Sequence, residues 1–183
     1  MNLYITPIKF CPHVQGKKPS LITRDMLRKV DGGGLLEKCA ADAWDAMVAA
    51  AKVDGIKLTP TSSADCFRSI ETQTKGFLAR YSKTPLEGAS TRTWNGEKWY
   101  LKKGNAPLAA PNDDAKTCSR HMLGIAVDVA NANGDRLKWM HENLKKFGFS
   151  WEVVPEEPWH IRLVVAQPTP AVAEFIAAKQ VGA

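Results

Sequence analysis

No apolar run in this chain approaches the ~20 residues that a helix needs to cross a bilayer, so a helical membrane anchor is not expected. The first ten residues, Met1 to Phe10, lack a basic stretch followed by a long apolar core. They do not read as a Sec-type leader. Cysteine is scarce: Cys11, Cys39, Cys66 and Cys118 form no C-x-x-C pair and share no repeated spacing. A disulfide framework is therefore not expected in a chain of 183 residues. Cys11-Pro12-His13 offers two metal donors, too few to close a site, and Cys39 reads as a small core residue on a helix. There is no internal repeat and no low-complexity tract. Gly32-Gly33-Gly34 is a breaker rather than a phosphate loop, because no Lys-Ser/Thr follows at the required spacing.

What is present is ordinary soluble composition, with 44% hydrophobic and 24% charged residues. The length suits one domain with a substantial core. Residues 1–30 are irregular and partly basic, and read as an N-terminal arm with a short helix near Arg24–Val30. Leu35 to Val53 carries an apolar stripe at helical period: Leu35, Leu36, Cys39, Ala40, Trp44, Met47, Val48 and Ala51. Ile56–Thr61 reads as a strand. Ser69–Ser82 reads as a second helix, Asp135–Phe147 as a third and Thr169–Lys179 as a fourth. Ser150–Val154 and Ile161–Val165 read as strands. Asn95-Gly96 signals a hairpin within a long stretch, residues 83–118, of weak periodicity. Its aromatic residues fit either a cleft rim or cross-strand pairing.

Chemistry concentrates in two segments, Ser119-Arg120-His121-Met122-Leu123-Gly124-Ile125-Ala126-Val127-Asp128 and Glu157-Pro158-Trp159-His160. They supply two imidazoles and a carboxylate as metal donors, and leave Glu157 over as a base. Three protein ligands with an open fourth position make a hydrolytic zinc site. His121 and Asp128 are seven residues apart. On one straight strand that odd spacing would point them to opposite faces. They converge only if the chain turns between them, and Gly124 is where a sharp turn is least costly. Ile125–Val129 reads as a buried strand whose single charge, Asp128, needs a partner or a metal. Taken singly, His121 could be a satisfied core histidine, Asp128 a strand-end cap and Glu157 part of an acidic loop. His141 reads as a surface or helix-packing residue.

Together the two segments, S-x-H-x-x-G-x-A-x-D and E-x-W-H, resemble the signature of the D-alanyl-D-alanine metallopeptidase superfamily. That group holds VanY-type D,D-carboxypeptidases and phage L-alanoyl-D-glutamate endolysins. Arg68-Ser69-Ile70-Glu71-Thr72-Gln73 resembles a third family element, with Phe67 where tyrosine is common. The resemblance implies one zinc ion per chain held by His121, Asp128 and His160, with Glu157 as general base. It implies that Arg68 binds the substrate's carboxylate or carbonyl oxygen and that Gln73 supports that wall. Ser119 and Trp159 are expected to line the cleft. The implied fold is α+β, a small antiparallel sheet with helices on one face and the zinc cleft on the other, within residues 31–183.

The expected substrate is bacterial peptidoglycan, the expected state a monomer. The net charge of +6 suits an anionic wall; with no dense Lys/Arg block, neither nucleic acid nor membrane is expected as a partner. Compact size, basic charge, the long 83–118 segment and the missing leader favour a phage-type lytic endopeptidase, made in the host cytoplasm and acting on the wall. The alternatives are a D-alanyl-D-alanine carboxypeptidase and a non-catalytic zinc-containing wall-binding module.

Overall fold

A computed structural model describes residues 11–181; the first ten residues of the expected N-terminal arm lie outside them. From residue 11 onward the arm contributes to the main core through Cys11, Val14 and Val30. The short helix expected near Arg24–Val30 is a 3-10 turn at Arg24–Met26 followed by strand β1, Leu27–Lys29. β1 pairs antiparallel with β2, Leu35–Glu37.

That pairing corrects the expected start of the first helix. Helix α1 runs Lys38–Val53, not from Leu35. Leu35 and Leu36 continue the apolar stripe, but two residues cannot distinguish helical from strand periodicity. The boundary is set by Glu37, whose side chain accepts a hydrogen bond from the Cys39 backbone N–H at 2.8 Å and caps the helix. Trp44 and Met47 of α1 are fully buried.

Ile56–Thr61, expected as a strand, forms only an isolated bridge between Pro60 and Val129. Proline has no N–H to give to a ladder. Its neighbours pair instead: the Ala130 N–H donates to Thr59 O at 2.9 Å and Thr61 N–H to Asp128 O at 2.8 Å. Helix α2, Ile70–Arg80, is capped by Ser69 and leads into β3, Tyr81–Ser82. The Asn95-Gly96 hairpin is present, joining β4, Thr91–Trp94, to β5, Glu97–Leu101. Asn95 and Gly96 both have positive φ, +52° and +76°, as a tight hairpin turn requires. The sheet order is β3-β5-β4. Its aromatics build a second core with α2, in which Phe77 stacks on Tyr81 at 4.5 Å and Trp94 lies diagonal to Trp99 at 5.5 Å.

The remaining sheet carries the expected chemistry. Strands β6, Ala126–Asp128, β7, Phe149–Trp151, and β8, His160–Leu163, are ordered β6-β8-β7 and antiparallel. Helix α3, Gly134–Asn143, ends in a 3-10 turn, Leu144–Phe147, shortening the expected third helix. Helix α4 is Pro170–Val181. Side chains alternate across a strand, and the sheet divides accordingly. Val127, Phe149, Trp151, Ile161 and Leu163 join α1 and α3 in the main core. Asp128, Ser150, His160 and Arg162 take the other face, with Asp128 directly opposite His160. This is the α+β arrangement with helices on one face and polar chemistry on the other. Among the described residues, no helix is long and apolar enough to cross a membrane.

One glycine is indispensable to this geometry. Gly124 has φ +70°, and a Cβ there would lie 2.9 Å from Glu37 N and 3.0 Å from Leu27 Cδ2. Gly124→Ala should destabilise the protein by about 2 kcal/mol or more, from left-handed strain plus a backbone clash. Urea unfolding measures this; a change under 0.5 kcal/mol would contradict the packing described.

Candidate metal centre

Each donor of the site is placed by a different local device. His121 lies in a 3-10 turn, Arg120–Leu123, that Gly124 terminates in the left-handed conformation. The turn reverses the chain so that His121 and Asp128 face each other despite their odd spacing. His121 Nδ1 lies 2.9 Å from the Cys66 carbonyl oxygen. A carbonyl only accepts, so Nδ1 carries a proton, and Nε2 is the nitrogen that faces Asp128 and is placed to ligate a metal. Asp128 ends β6 and His160 begins β8, side by side across the ladder.

The three donors converge. His121 Nε2 is 3.3 Å from Asp128 Oδ1, and His160 Nδ1 is 2.8 Å from the same oxygen. One ligand atom from each residue lies within 4.8 Å of the others. His121 and His160 are only 4% and 8% exposed. Two imidazole nitrogens and one carboxylate oxygen fit zinc and leave a coordination position open.

Burial would raise the Asp128 pKa, but hydrogen bonds from His121 and His160 hold it well below the usual carboxylate range. Burial would likewise lower the His160 pKa. Hydrogen bonds to Asp128 and to Glu152 on its other side win, raising it to about 9.

Glu152 is a site residue that the sequence reading missed. Its Oε2 accepts from His160 Nε2 at 3.0 Å. Its Oε1 lies 3.4 Å from Arg120 Nε and 3.3 Å from Arg162 Nε. Burial would push the Glu152 carboxyl up, yet the His160 hydrogen bond and the Arg162, His160 and Arg120 charges hold it below its ordinary value. A histidine ligand whose second nitrogen donates to a carboxylate is fixed in tautomer and orientation. Glu152 does this for His160, and the Cys66 carbonyl does it for His121. The only sequence signal for Glu152 was an acidic residue one position past β7, within a segment read as a plain strand.

Arg68 stands beside the donors through its backbone, its N–H donating to His121 O at 3.0 Å. Its guanidinium donates to Gln73 Oε1 at 2.8 Å and pairs with Asp65 at 3.4 Å. Gln73 is fully buried, and its amide donates to Ala109 O at 2.8 Å. A chain of contacts thus runs from Arg68 through Gln73 to Ala109 within the 83–118 segment. Glu157 is half-buried, and among the described residues its carboxylate has no hydrogen-bond or ion-pair partner. Its backbone carbonyl accepts from the His160 N–H at 3.1 Å, which ties it to the ligand. Ser119 is half-buried at the start of the His121 turn. Trp159 is 42% exposed, on the surface rather than in the core. His141 stacks on Trp151 at 4.6 Å, away from the donors.

Against this geometry, residues 34–166 match the VanY family, described as D-alanyl-D-alanine carboxypeptidase. The chain belongs to the VanY family. It is accordingly a peptidase of the zinc-dependent kind, and its His121–Asp128–His160 donor set suits that ion. A comparison with curated protein sequences gives no match. Among solved structures, an LD-carboxypeptidase, LdcB, described for its peptidoglycan recognition, shares the fold with a TM-score of 0.57. The two are 21% identical over 97% of this chain and 89% of that one. VanYB in complex with D-alanine-D-alanine aligns at 20% identity, TM-score 0.48, over 85% of this chain and 83% of its own. A variant of the VanY vancomycin-resistance D,D-pentapeptidase in complex with Zn(II) aligns at 19% identity, TM-score 0.49, over 88% and 91%.

The two carboxylates around His160 predict how this VanY-family site responds to pH. In the metal-free protein the His160 pKa lies above its ordinary 6.5, at about 9. Its ion pairs therefore stabilise the fold fully below pH 6.5 and cease to do so as pH rises through about 9. A metal ion must displace that proton. Apparent zinc affinity should rise about tenfold per pH unit between those limits and level off above. Glu152→Ala should lower zinc affinity about 10–100-fold and shift the levelling point to lower pH. Chelator competition across pH checks both; a pH-independent affinity would contradict the His160 assignment.

Proposed function

We propose that this VanY-family protein hydrolyses the peptide stem of bacterial peptidoglycan at the site formed by His121, Asp128 and His160. The observation that carries the reading is the convergence of these three donors on one face of the β6–β8 ladder, with Glu157 and Arg68 beside them. When bound, zinc polarises a scissile carbonyl and lowers the pKa of an attacking water. The unpartnered carboxylate of Glu157 takes the water's proton and delivers it to the leaving amine. Arg68, held by Gln73 and Asp65, receives a substrate carboxylate or the oxyanion. Asp128 and Glu152 hold His160, and the Cys66 carbonyl holds His121, so the donors are oriented before substrate arrives.

The bond cut follows from what Arg68 grips. The family description supports removal of a terminal D-alanine, whose free carboxylate Arg68 would bind. The link from Gln73 to Ala109 supports a second reading. There the 83–118 segment forms one wall of a cleft open at both ends, as cleavage between L-Ala and D-Glu by a lytic endopeptidase of phage type requires. In either form the protein works on the wall as a monomer.

Glu157→Ala should lower turnover by ~100-fold or more while zinc is retained; near-normal turnover would remove Glu157 from the base role. His160→Ala should hold one zinc ion fewer than the parent. Mass spectrometry of digested muropeptides separates the two bonds. Release of D-alanine alone identifies the carboxypeptidase, and new amino termini within the stem identify the endopeptidase.

A further inference from the structure

Far along the chain from the catalytic motifs, two short pairs of donors meet at the entrance to α1. Cys11-Pro12-His13 belongs to the N-terminal arm, and Glu37-Lys38-Cys39 spans the junction of β2 and α1. The arm alone supplies two donors; folding brings it two more. One ligand atom from each of the four lies within 4.8 Å of all the others. His13 Nδ1 is 3.2 Å from Glu37 Oε1, 3.4 Å from Cys39 Sγ and 3.9 Å from Cys11 Sγ. A tetrahedral zinc ion, with bonds of about 2.0–2.3 Å, spaces its ligand atoms about 3.3–3.8 Å apart. The His13 spacings already lie in or beside that range. The shorter contact, Cys11 Sγ to Glu37 Oε2 at 2.7 Å, is a thiol donating to a carboxylate. That is a proton holding together two groups that a dication would hold instead.

A second observation points the same way. Glu37 is fully buried, yet its Oε1 accepts no hydrogen bond among the described residues. His13 Nδ1, on a half-exposed ring, is the group that stands before it. A buried carboxylate with an unused oxygen is costly unless it is paired or binds a cation. Its Oε2 is already engaged by Cys11 and by the Cys39 N–H, so Oε1, which faces only His13 Nδ1 at 3.2 Å, is the atom placed to bind a cation. Cys11 is fully buried, while Cys39 and His13 are partly exposed and give an ion a way in.

We propose that Cys11, His13, Glu37 and Cys39 form a second zinc site, structural rather than catalytic. Four protein donors fill a tetrahedral ion and leave no position for substrate. Two thiolates select zinc over magnesium or calcium. The site clamps the N-terminal arm onto α1. It also braces the catalytic turn, because the Glu37 N–H donates to Gly124 O at 2.8 Å, three residues from His121.

Sulfur makes the two sites separable. The catalytic donors contain none, so substitution of cobalt(II) should give thiolate-to-cobalt charge-transfer absorption only from the second site. Protein purified without chelator should carry two zinc ions per chain. His160→Ala should carry one and keep the cobalt charge-transfer band. Cys11→Ser/Cys39→Ser should lose the band and one ion and unfold at lower temperature. His13→Ala, a change at a half-exposed side chain, should weaken cobalt binding at this site tenfold or more in a protein that still folds. One zinc per chain in the parent, with no charge-transfer band, would overturn the proposal. So would a native mass lower by two hydrogens together with a Cys11–Cys39 peptide, since that pair would then be a disulfide. Either result would leave the catalytic assignment untouched.

Discussion

Asp128 and His160 sit opposite each other on neighbouring antiparallel strands, and the convergence of the three candidate metal donors depends on that register. A slip of one residue in either strand would turn its donor into the core and bring Val127 or Ile161 out to the metal face. The register is pinned from several sides. Thr61 pairs with the carbonyl of Asp128 itself, and the Trp159 carbonyl receives the Val129 N–H at 2.9 Å. On the other face the fully buried Phe149 and Ile161, with Trp151 beside them, resist any shift through packing. Hydrophobic burial thus fixes the position of polar groups that could not afford to be buried without partners.

Those partners form a graded set of charges. Asp128 is acceptor to both imidazoles. Glu152 sits behind His160 and is itself held by Arg120 and Arg162. Arg120 also donates to the carbonyls of Ala115 and Lys116, at 2.9 and 3.0 Å. The segment entering the His121 turn is therefore tethered to the same carboxylate that orients His160. The turn that carries His121 and the carboxylate that orients His160 thus share one polar network through Arg120.

The three converging donors, His121, Asp128 and His160, were legible in the sequence because their chemistry is local and unusual. A lone aspartate ends an apolar strand, a glycine stands between two donors, and a glutamate and a histidine lie three residues apart. Glu152 was not legible, because a glutamate after a strand is unremarkable until the fold sets it against an imidazole. The Cys66 carbonyl has no side-chain signature at all. The start of α1 was misplaced because Leu35 and Leu36 satisfy two periodicities at once. The meeting of His13 with Glu37 and Cys39 joins segments more than twenty residues apart, a separation that local pattern cannot bridge. The hairpin, by contrast, was readable from Asn95-Gly96, since the turn's positive φ values demand such residues.

Helix α2 has two loyalties. At its first turns Gln73 braces Arg68 beside the metal face, and further along Phe77 anchors the aromatic core of the β3-β5-β4 sheet. That sheet has its own hydrophobic nucleus and shares none of the metal donors. Its β4–β5 turn lies on its own hydrophobic core rather than on the metal donors, while any tilt of α2 is transmitted to Arg68 through Gln73. A disturbance of that sheet is therefore felt at the metal face only as far as α2 and the Gln73–Ala109 link carry it.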